Sequence, residues 1–256
     1  MVENRIAVAG ATGRVGRHVV TGLEQAGFVA VPISRSVGVD LVGGEGLEDA
    51  LYGVDAVVDA ATGASPDQDE ATRFFVAAAQ NLHRVGSSVG ASRIVSVSII
   101  GVDQFTAGYG VAKQRHEEEI LAGSVSAQVV RASQFHEFVP LLIAWGTDGG
   151  VSRLQRTRIQ PVAARAVAEV LVEAATADWV SDPERVVEVA GPREEDLAAL
   201  ARLFVKRTGD SVQIEEVVNE ADPDHHLYES GALLPGASAK LAGPTFEEWL
   251  DSNDRG

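Results

Sequence analysis

Cysteine is absent from all 256 residues, which excludes disulfides, thiolate nucleophiles and cysteine-ligated metal. Positive charge is scarce: 21 Lys and Arg face 37 Asp and Glu, for a formal net charge of −16. Nucleic acid and anionic membrane surfaces need a basic face, so neither is an expected partner. Long apolar runs are missing too. The longest, such as Phe138 to Trp145, fall far short of the ~20 residues of a membrane span. The start, Met1-Val2-Glu3-Asn4, carries no signal-peptide pattern, and the expected location is the cytoplasm. No repeat, low-complexity tract or long linker divides the chain. One continuous domain over 1–256 is expected, with residues from about 136 onward contributing a substrate lobe.

What is present is a rhythm. Over the first 135 residues, short β-rich runs alternate with longer helical patterns, the signature of a parallel sheet with crossover helices. Strands are expected at Arg5–Ala9, Phe28–Ser34, Asp40–Val42, Ala56–Ala60, Arg93–Ser98 and Ala127–Ala132. The run Ala56-Val57-Val58-Asp59-Ala60 is apolar almost throughout, as in a strand covered on both faces. Pro32 is awkward inside its strand, because proline cannot donate to a ladder. Helices are expected near Val15–Gln25, Gly46–Leu51, Gln68–Val89 and Gly108–Leu121. After Phe135, Pro140, Gly146, Gly149 and Gly150 mark a loop-rich stretch. Beyond it come helices at Val162–Ala177 and Glu194–Thr208 and a strand at Val186–Ala190. The fold class is α/β, a Rossmann-type doubly wound parallel sheet.

The chemistry begins at Gly10-Ala11-Thr12-Gly13-Arg14-Val15-Gly16, between the first strand and the first helix. Three glycines spaced three apart suit a turn that brings bare backbone against a pyrophosphate, beside a helix amino terminus. Gly10, Thr12, Gly13, Arg14, Val15 and Gly16 are therefore expected cofactor contacts. The second strand then runs into Ser34-Arg35-Ser36, with no carboxylate where an NAD site places one on the ribose. A guanidinium flanked by hydroxyls suits a 2′-phosphate, with Arg14 as a second positive charge, so NADP (NADPH) is the expected cofactor. Asp40 fits either an acceptor for the adenine amino group or a plain turn residue.

Tyr109 and Lys113 stand four apart, on one face of a helix. An ammonium near a phenol lowers its pKa, and a phenol so tuned can exchange a proton with a carbonyl or alcohol. Ser98, nearer the strand end than Ser96, is placed to hydrogen-bond the same oxygen. Gln134, Phe135, His136 and Phe138, with Trp145 beyond, either face an apolar or aromatic substrate or pack the lobe. His136 fits a proton-transfer or a structural role. Asp222, Asp224, His225 and His226 are expected in a solvated turn, and no metal site is expected. Glu117-Glu118-Glu119 reads as an exposed helix face.

Together these residues resemble a known family. Gly10-x-x-Gly13-x-x-Gly16, Ser34-Arg35-Ser36, Asp40-Leu41, Val97-Ser98-Ile99-Ile100-Gly101-Val102-Asp103, Tyr109-x-x-x-Lys113 and Val130-Arg131-Ala132-Ser133-Gln134-Phe135 are similar to atypical short-chain dehydrogenase/reductases. The NmrA-like and triphenylmethane-reductase-like NAD(P)-binding proteins are the nearest resemblance. Gln160-Pro161-Val162, Val189-Ala190-Gly191-Pro192 and Thr245-Phe246-Glu247-Glu248-Trp249-Leu250 extend it over nearly the whole chain. The resemblance implies a Rossmann fold, an NADP-type cofactor and a Ser98-Tyr109-Lys113 arrangement. It further implies that Lys113 contacts the nicotinamide ribose and that Ala60, Ala61 and Thr62 line the cofactor. The interval from Ser98 to Tyr109 is short against the family's usual spacing, and some members bind nucleotide without turnover. The expected function is that of an NADPH-dependent oxidoreductase, transferring hydride between the nicotinamide and a small apolar or aromatic carbonyl or conjugated substrate. The alternatives are an NADP(H)-binding sensor and an NAD(P)-dependent epimerase or isomerase. A small molecule is the expected partner, and no self-complementary face assigns an oligomeric state.

Overall fold

Short β-branched runs and longer helical runs give, in chain order, β1 (Arg5–Ala9), α1 (Gly16–Gln25), β2 (Val29–Ile33), α2 (Leu47–Leu51) and β3 (Ala56–Asp59). Then follow α3 (Gln68–Val89), β4 (Arg93–Ile99), α4 (Gly108–Ala122), β5 (Ala127–Ala132) and α5 (Phe138–Gly146). Next come β6 (Thr147–Asp148), β7 (Val151–Gln155), β8 (Arg158–Ile159), α6 (Ala164–Thr176), β9 (Val186–Ala190) and β10 (Glu195–Asp196). The chain closes with α7 (Leu197–Thr208), β11 (Gln213–Val217), α8 (His225–Ser230), β12 (Lys240–Leu241) and α9 (Phe246–Asp251). These elements come from a computed structural model that describes residues 4–178 and 184–252. Met1 to Glu3, where no signal-peptide pattern is expected, lie outside the described residues. Among the described residues no helix is long and apolar enough to cross a membrane.

The central sheet is parallel and seven-stranded, in the order β12-β9-β5-β4-β3-β1-β2. From β1 the chain steps out to β2 at one edge, then returns to β3 on the other side of β1. That reversal opens a crevice outside the carboxyl ends of β1 and β3, the place where doubly wound sheets bind ligands. The two strands run in register, Ala9 opposite Asp59. All four residues of β3 are buried, as expected where helices cover both faces. β2 is the edge strand, which lets Pro32 sit opposite Val8 without breaking a ladder on its outer side. The expected strand at Asp40–Val42 does not form. Asp40 instead turns the chain, its Oδ1 accepting from Val42 N at 2.9 Å and its carbonyl from Gly44 N at 2.8 Å.

The chain divides into two compact units. The first comprises residues 1–98, 108–131 and 167–187. Its core contains Leu23, Ile33, Leu47, Leu51, Leu82, Ile94 and Ile120, each fully buried and each worth roughly 1.5–3 kcal/mol. Asp67 caps α3, accepting from Asp69 N and Glu70 N, and Gly90 ends it in the left-handed conformation. The second unit comprises residues 99–107, 132–166 and 188–256. There α7 packs against α5, α9 and β11, and Thr245 and Glu248 form a reciprocal cap on α9. The stretch expected to be loop-rich holds α5 and the strands β6, β7 and β8. Pro140 falls in the first turn of α5, where a missing N–H costs no helical bond.

Candidate functional site

The crevice is built from backbone. Gly10 leaves β1 at φ +72°, a conformation that side chains disfavour. A Cβ there would stand 2.6 Å from Ala60 O, which follows β3. Gly13 N donates to Gly10 O at 2.8 Å and closes the turn. A Cβ on Gly16 would collide with the same Gly10 carbonyl, so α1 starts directly against the turn. Gly10 and Gly13 thus make the turn and Gly16 lets α1 pack against it.

Between the ends of β1, β2 and β3 lies a groove of about 570 Å³. Gly10, Thr12, Gly13, Ser34, Arg35, Ser36, Asp40, Ala60, Ala61 and Thr62 line it, so most of the expected cofactor contacts meet in one place. Arg14, Val15 and Gly16 are not among its walls, Val15 and Gly16 being buried behind the turn. Arg35 is exposed in a single helical turn just after β2. The Ser34 and Ser36 hydroxyls meet at 2.8 Å beside it. Asp40 lines the groove while making its turn.

Past Thr62 the groove wall meets the expected catalytic residues. Thr62 Oγ1 donates to Gly63 O at 3.2 Å and lies 3.3 Å from the Tyr109 hydroxyl. Either hydroxyl can donate in that contact. Burial pushes the Tyr109 phenol above its ordinary value, and the Thr62 bond offsets this only in part. The expected lowering by Lys113 is not what the structure shows. Lys113 Nζ donates to Val97 O at 2.9 Å and meets His116 Nδ1 at 2.9 Å, 4.6 Å from the Phe75 ring centre. Phe75 packs against all three side chains, edge-to-face with Tyr109 at 5.7 Å and stacked on His116 at 4.6 Å. Ser98 is buried, and its Oγ has no partner among the described residues. Ser96 is spoken for, donating to Asp59 Oδ2 at 3.3 Å.

Behind these residues lies a group that the sequence did not reveal. Asp59 Oδ2 accepts from His116 Nε2 at 2.8 Å, and its Oδ1 accepts from Ala61 N at 3.1 Å. Burial would raise the Asp59 carboxyl. The His116 hydrogen bond, the Lys113 ammonium and the Ala61 N–H together hold it below its ordinary value instead. Burial, with the Lys113 charge, pushes His116 down. Two signals were available: a carboxylate inside an apolar strand, and a histidine one helical turn after Lys113. Glu117, expected on an exposed face, is buried in a two-pronged pair with Arg131, with contacts of 2.7 to 3.3 Å.

In the second unit the expected substrate residues separate. Phe135 and Phe138 stack at 5.8 Å, and Gln134 is half-buried beside them in sequence. His136 does not face a substrate: it is fully buried, bonded to Pro244 O at 3.1 Å and packed on Phe246 and Trp249. Burial lowers its pKa to about 4. Trp145 is exposed. Asp224 is no solvated turn residue. It is buried, and its carboxylate accepts from Thr106 N, Thr106 Oγ1 and Ala107 N at 2.6 to 3.0 Å. Among the described residues no group of three His, Asp or Glu could hold a metal ion.

No family model matches the chain, and no curated protein matches it. Among solved structures it is similar to MoeE5 in complex with UDP-glucose and NAD, at 18% identity and a TM-score of 0.72, covering 98% of this chain and 97% of that one. It is similar to an NADPH-dependent quinone oxidoreductase from Escherichia coli, at 17% identity and a TM-score of 0.65, covering 96% and 98%. It is also similar to UDP-N-acetylglucosamine 4-epimerase from Bacillus cereus, at 17% identity and a TM-score of 0.69, covering 99% and 96%. What the chain shares with them is the Rossmann-type α/β fold.

Proposed function

We propose that the chain is an NADP(H)-dependent oxidoreductase of the atypical short-chain dehydrogenase/reductase type, acting on a small apolar or aromatic carbonyl or conjugated substrate. One observation carries this reading: a groove at the sheet's reversal point is lined from the Gly10–Gly13 turn to Thr62, whose hydroxyl lies 3.3 Å from that of Tyr109. Two of the similar structures bear on the cofactor, one holding NAD and one described as NADPH-dependent.

The residues present fit a nicotinamide dinucleotide. Gly10 and Gly13 leave bare backbone where a pyrophosphate needs close approach, a cradle that a Cβ would fill. Arg35, with the hydroxyls of Ser34 and Ser36, suits a 2′-phosphate. When bound, the cofactor supplies hydride. The chain supplies the proton and the positioning. Tyr109, its phenol pushed up by burial, stays protonated at neutral pH and acts as an acid, which favours the direction of reduction. Thr62 fixes the direction of its hydroxyl. The unpartnered Ser98 Oγ is available to orient a substrate oxygen. Lys113 supplies a buried positive charge from the same helix, one turn after Tyr109.

Incubating the protein and NADPH with quinones, aldehydes and enones, while following reduced-nicotinamide absorbance, tests this reading. The expected result is loss of absorbance with at least one class, abolished in Tyr109→Phe. A second reading, a nucleotide-binding sensor without turnover, is supported by the commitment of Lys113 Nζ to Val97 O and His116. Tight NADPH binding with a silent panel would select it.

A further inference from the structure

We propose that Asp59 and His116 are positioning residues that hold Lys113 as a cation through a buried chain running carboxylate to imidazole to ammonium. The three groups lie within the first unit, and Asp59, His116 and Lys113 are 1%, 2% and 5% exposed. Hydrogen-bond chemistry sets the direction of the chain. An ionised carboxylate only accepts, so His116 Nε2 carries the proton that meets Asp59 Oδ2 at 2.8 Å. Nδ1 is then a lone pair, and Lys113 Nζ is the donor that meets it at 2.9 Å. A protonated His116 would instead set an N–H against an ammonium, two cations at contact distance. The neutral Nε2–H tautomer is therefore the one that satisfies every atom.

The chain as a whole carries no net charge, which lets an ammonium persist in an apolar interior. Phe75 fixes the imidazole plane by stacking at 4.6 Å and an interplanar angle of 24°. Val97 O takes a second Lys113 proton at 2.9 Å. The other titratable groups nearby do not replace Asp59 as the counter-charge. Glu117 is committed to Arg131, His83 on α3 is bonded to Ile120 O, and Tyr109 is a neutral phenol. Ser96 Oγ and Ala61 N complete the carboxylate. Ala61 also lines the groove, so the anionic end of the chain is tied to the wall that Lys113 serves from behind. The purpose assigned to Lys113 rests on the oxidoreductase reading. The charge relation does not, because it is a property of the chain without cofactor.

The test exploits composition. The chain has three lysines, Lys113, Lys206 and Lys240, so carbon and nitrogen NMR of the lysine side chains resolves each titration in the cofactor-free protein. The expected wild-type result is a Lys113 midpoint near the value of about 8 that burial imposes on it. Asp59→Asn removes the counter-charge and is expected to move that midpoint down by about one pH unit or more. His116→Leu breaks the bridge and is expected to do the same. His116→Gln can donate to Asp59 and accept from Lys113, and is expected to restore the midpoint towards wild type. A residue that merely fills space would not give this split. Histidine nitrogen spectra of the wild type should show His116 as the neutral Nε2–H tautomer at about pH 7, charging only below the ordinary histidine range. A Lys113 midpoint at the ordinary lysine value, an unmoved midpoint in Asp59→Asn, or a His116 that is charged at about pH 7 would overturn the proposal. If the variants fail to fold, the wild-type lysine and histidine spectra decide it. Absence of turnover or of cofactor binding leaves these spectra as they are, so the two readings fail separately.

Discussion

Gly10 and the carbonyl oxygen of Ala60 leave no room for a side chain between the ends of β1 and β3: a Cβ on residue 10 would stand 2.6 Å from that oxygen. This approach closes the inner end of the groove. It also joins the two strands where the sheet order reverses, through Ala60 N donating to Ala9 O at 3.0 Å.

Gly10→Ala is therefore expected to cost about 1–3 kcal/mol, since a Cβ is disfavoured at φ +72° and clashes with backbone. Urea unfolding measures the loss. Ala60 must shift to relieve the clash, so dinucleotide affinity should fall with it.

Arg35→Ala is expected to weaken NADPH binding by about tenfold or more, with little change for NADH. Paired titrations with the two reduced cofactors check this. An equal loss for both, or none for either, would remove Arg35 from the 2′-phosphate site.

Glu117→Ala leaves Arg131 half-buried without its two-pronged partner, and about 3 kcal/mol of stability should go with it. Replacing both residues by leucine should recover most of that loss. Thermal unfolding of the single and double variants measures both effects.

The buried histidines set an acid limit. His136 falls from its ordinary 6.5 to about 4 when folded, so the unfolded chain binds more protons across that interval. Stability is complete above the unfolded value and is lost as pH drops from about 6.5 towards 4, by roughly 3 kcal/mol for this group. His83 and His116, also lowered first of all by burial, steepen the slope in the same sense. Urea midpoints measured at pH 7 and pH 5 should differ accordingly, and less so in His136→Gln.

The groove was legible before the structure because its chemistry is local: glycine spacing, the Ser34-Arg35-Ser36 cluster and the strand-to-helix boundary lie within short windows. The sheet was legible for the same reason, apart from the two-residue edge strand β12, too short to show a pattern, and Asp40–Val42, where a side-chain-to-backbone bond at Asp40 overrode an extended reading. Residues whose roles depend on distant partners were not legible. Asp59 was hidden by the apolar run around it, and its partner lies 57 residues later. Glu117 was hidden in a run of charges, only one of which turns inward. His136 pointed towards a substrate by its place after β5, but its surroundings come from Pro244, Phe246 and Trp249, far along the chain. Tyr109 and Lys113 share a helix face as their spacing requires. Val97 O and His116, which hold the Lys113 ammonium, draw it away from a pairing with the phenol.

Calorimetric titration of the full chain with NADPH tests most directly that the crevice between β1 and β3 is a nicotinamide dinucleotide site. The expected result is saturable binding of one NADPH per chain, weaker for NADH and sharply reduced in a folded Gly10→Ala variant. No saturable binding of either cofactor, or binding that Gly10→Ala leaves intact, would contradict it.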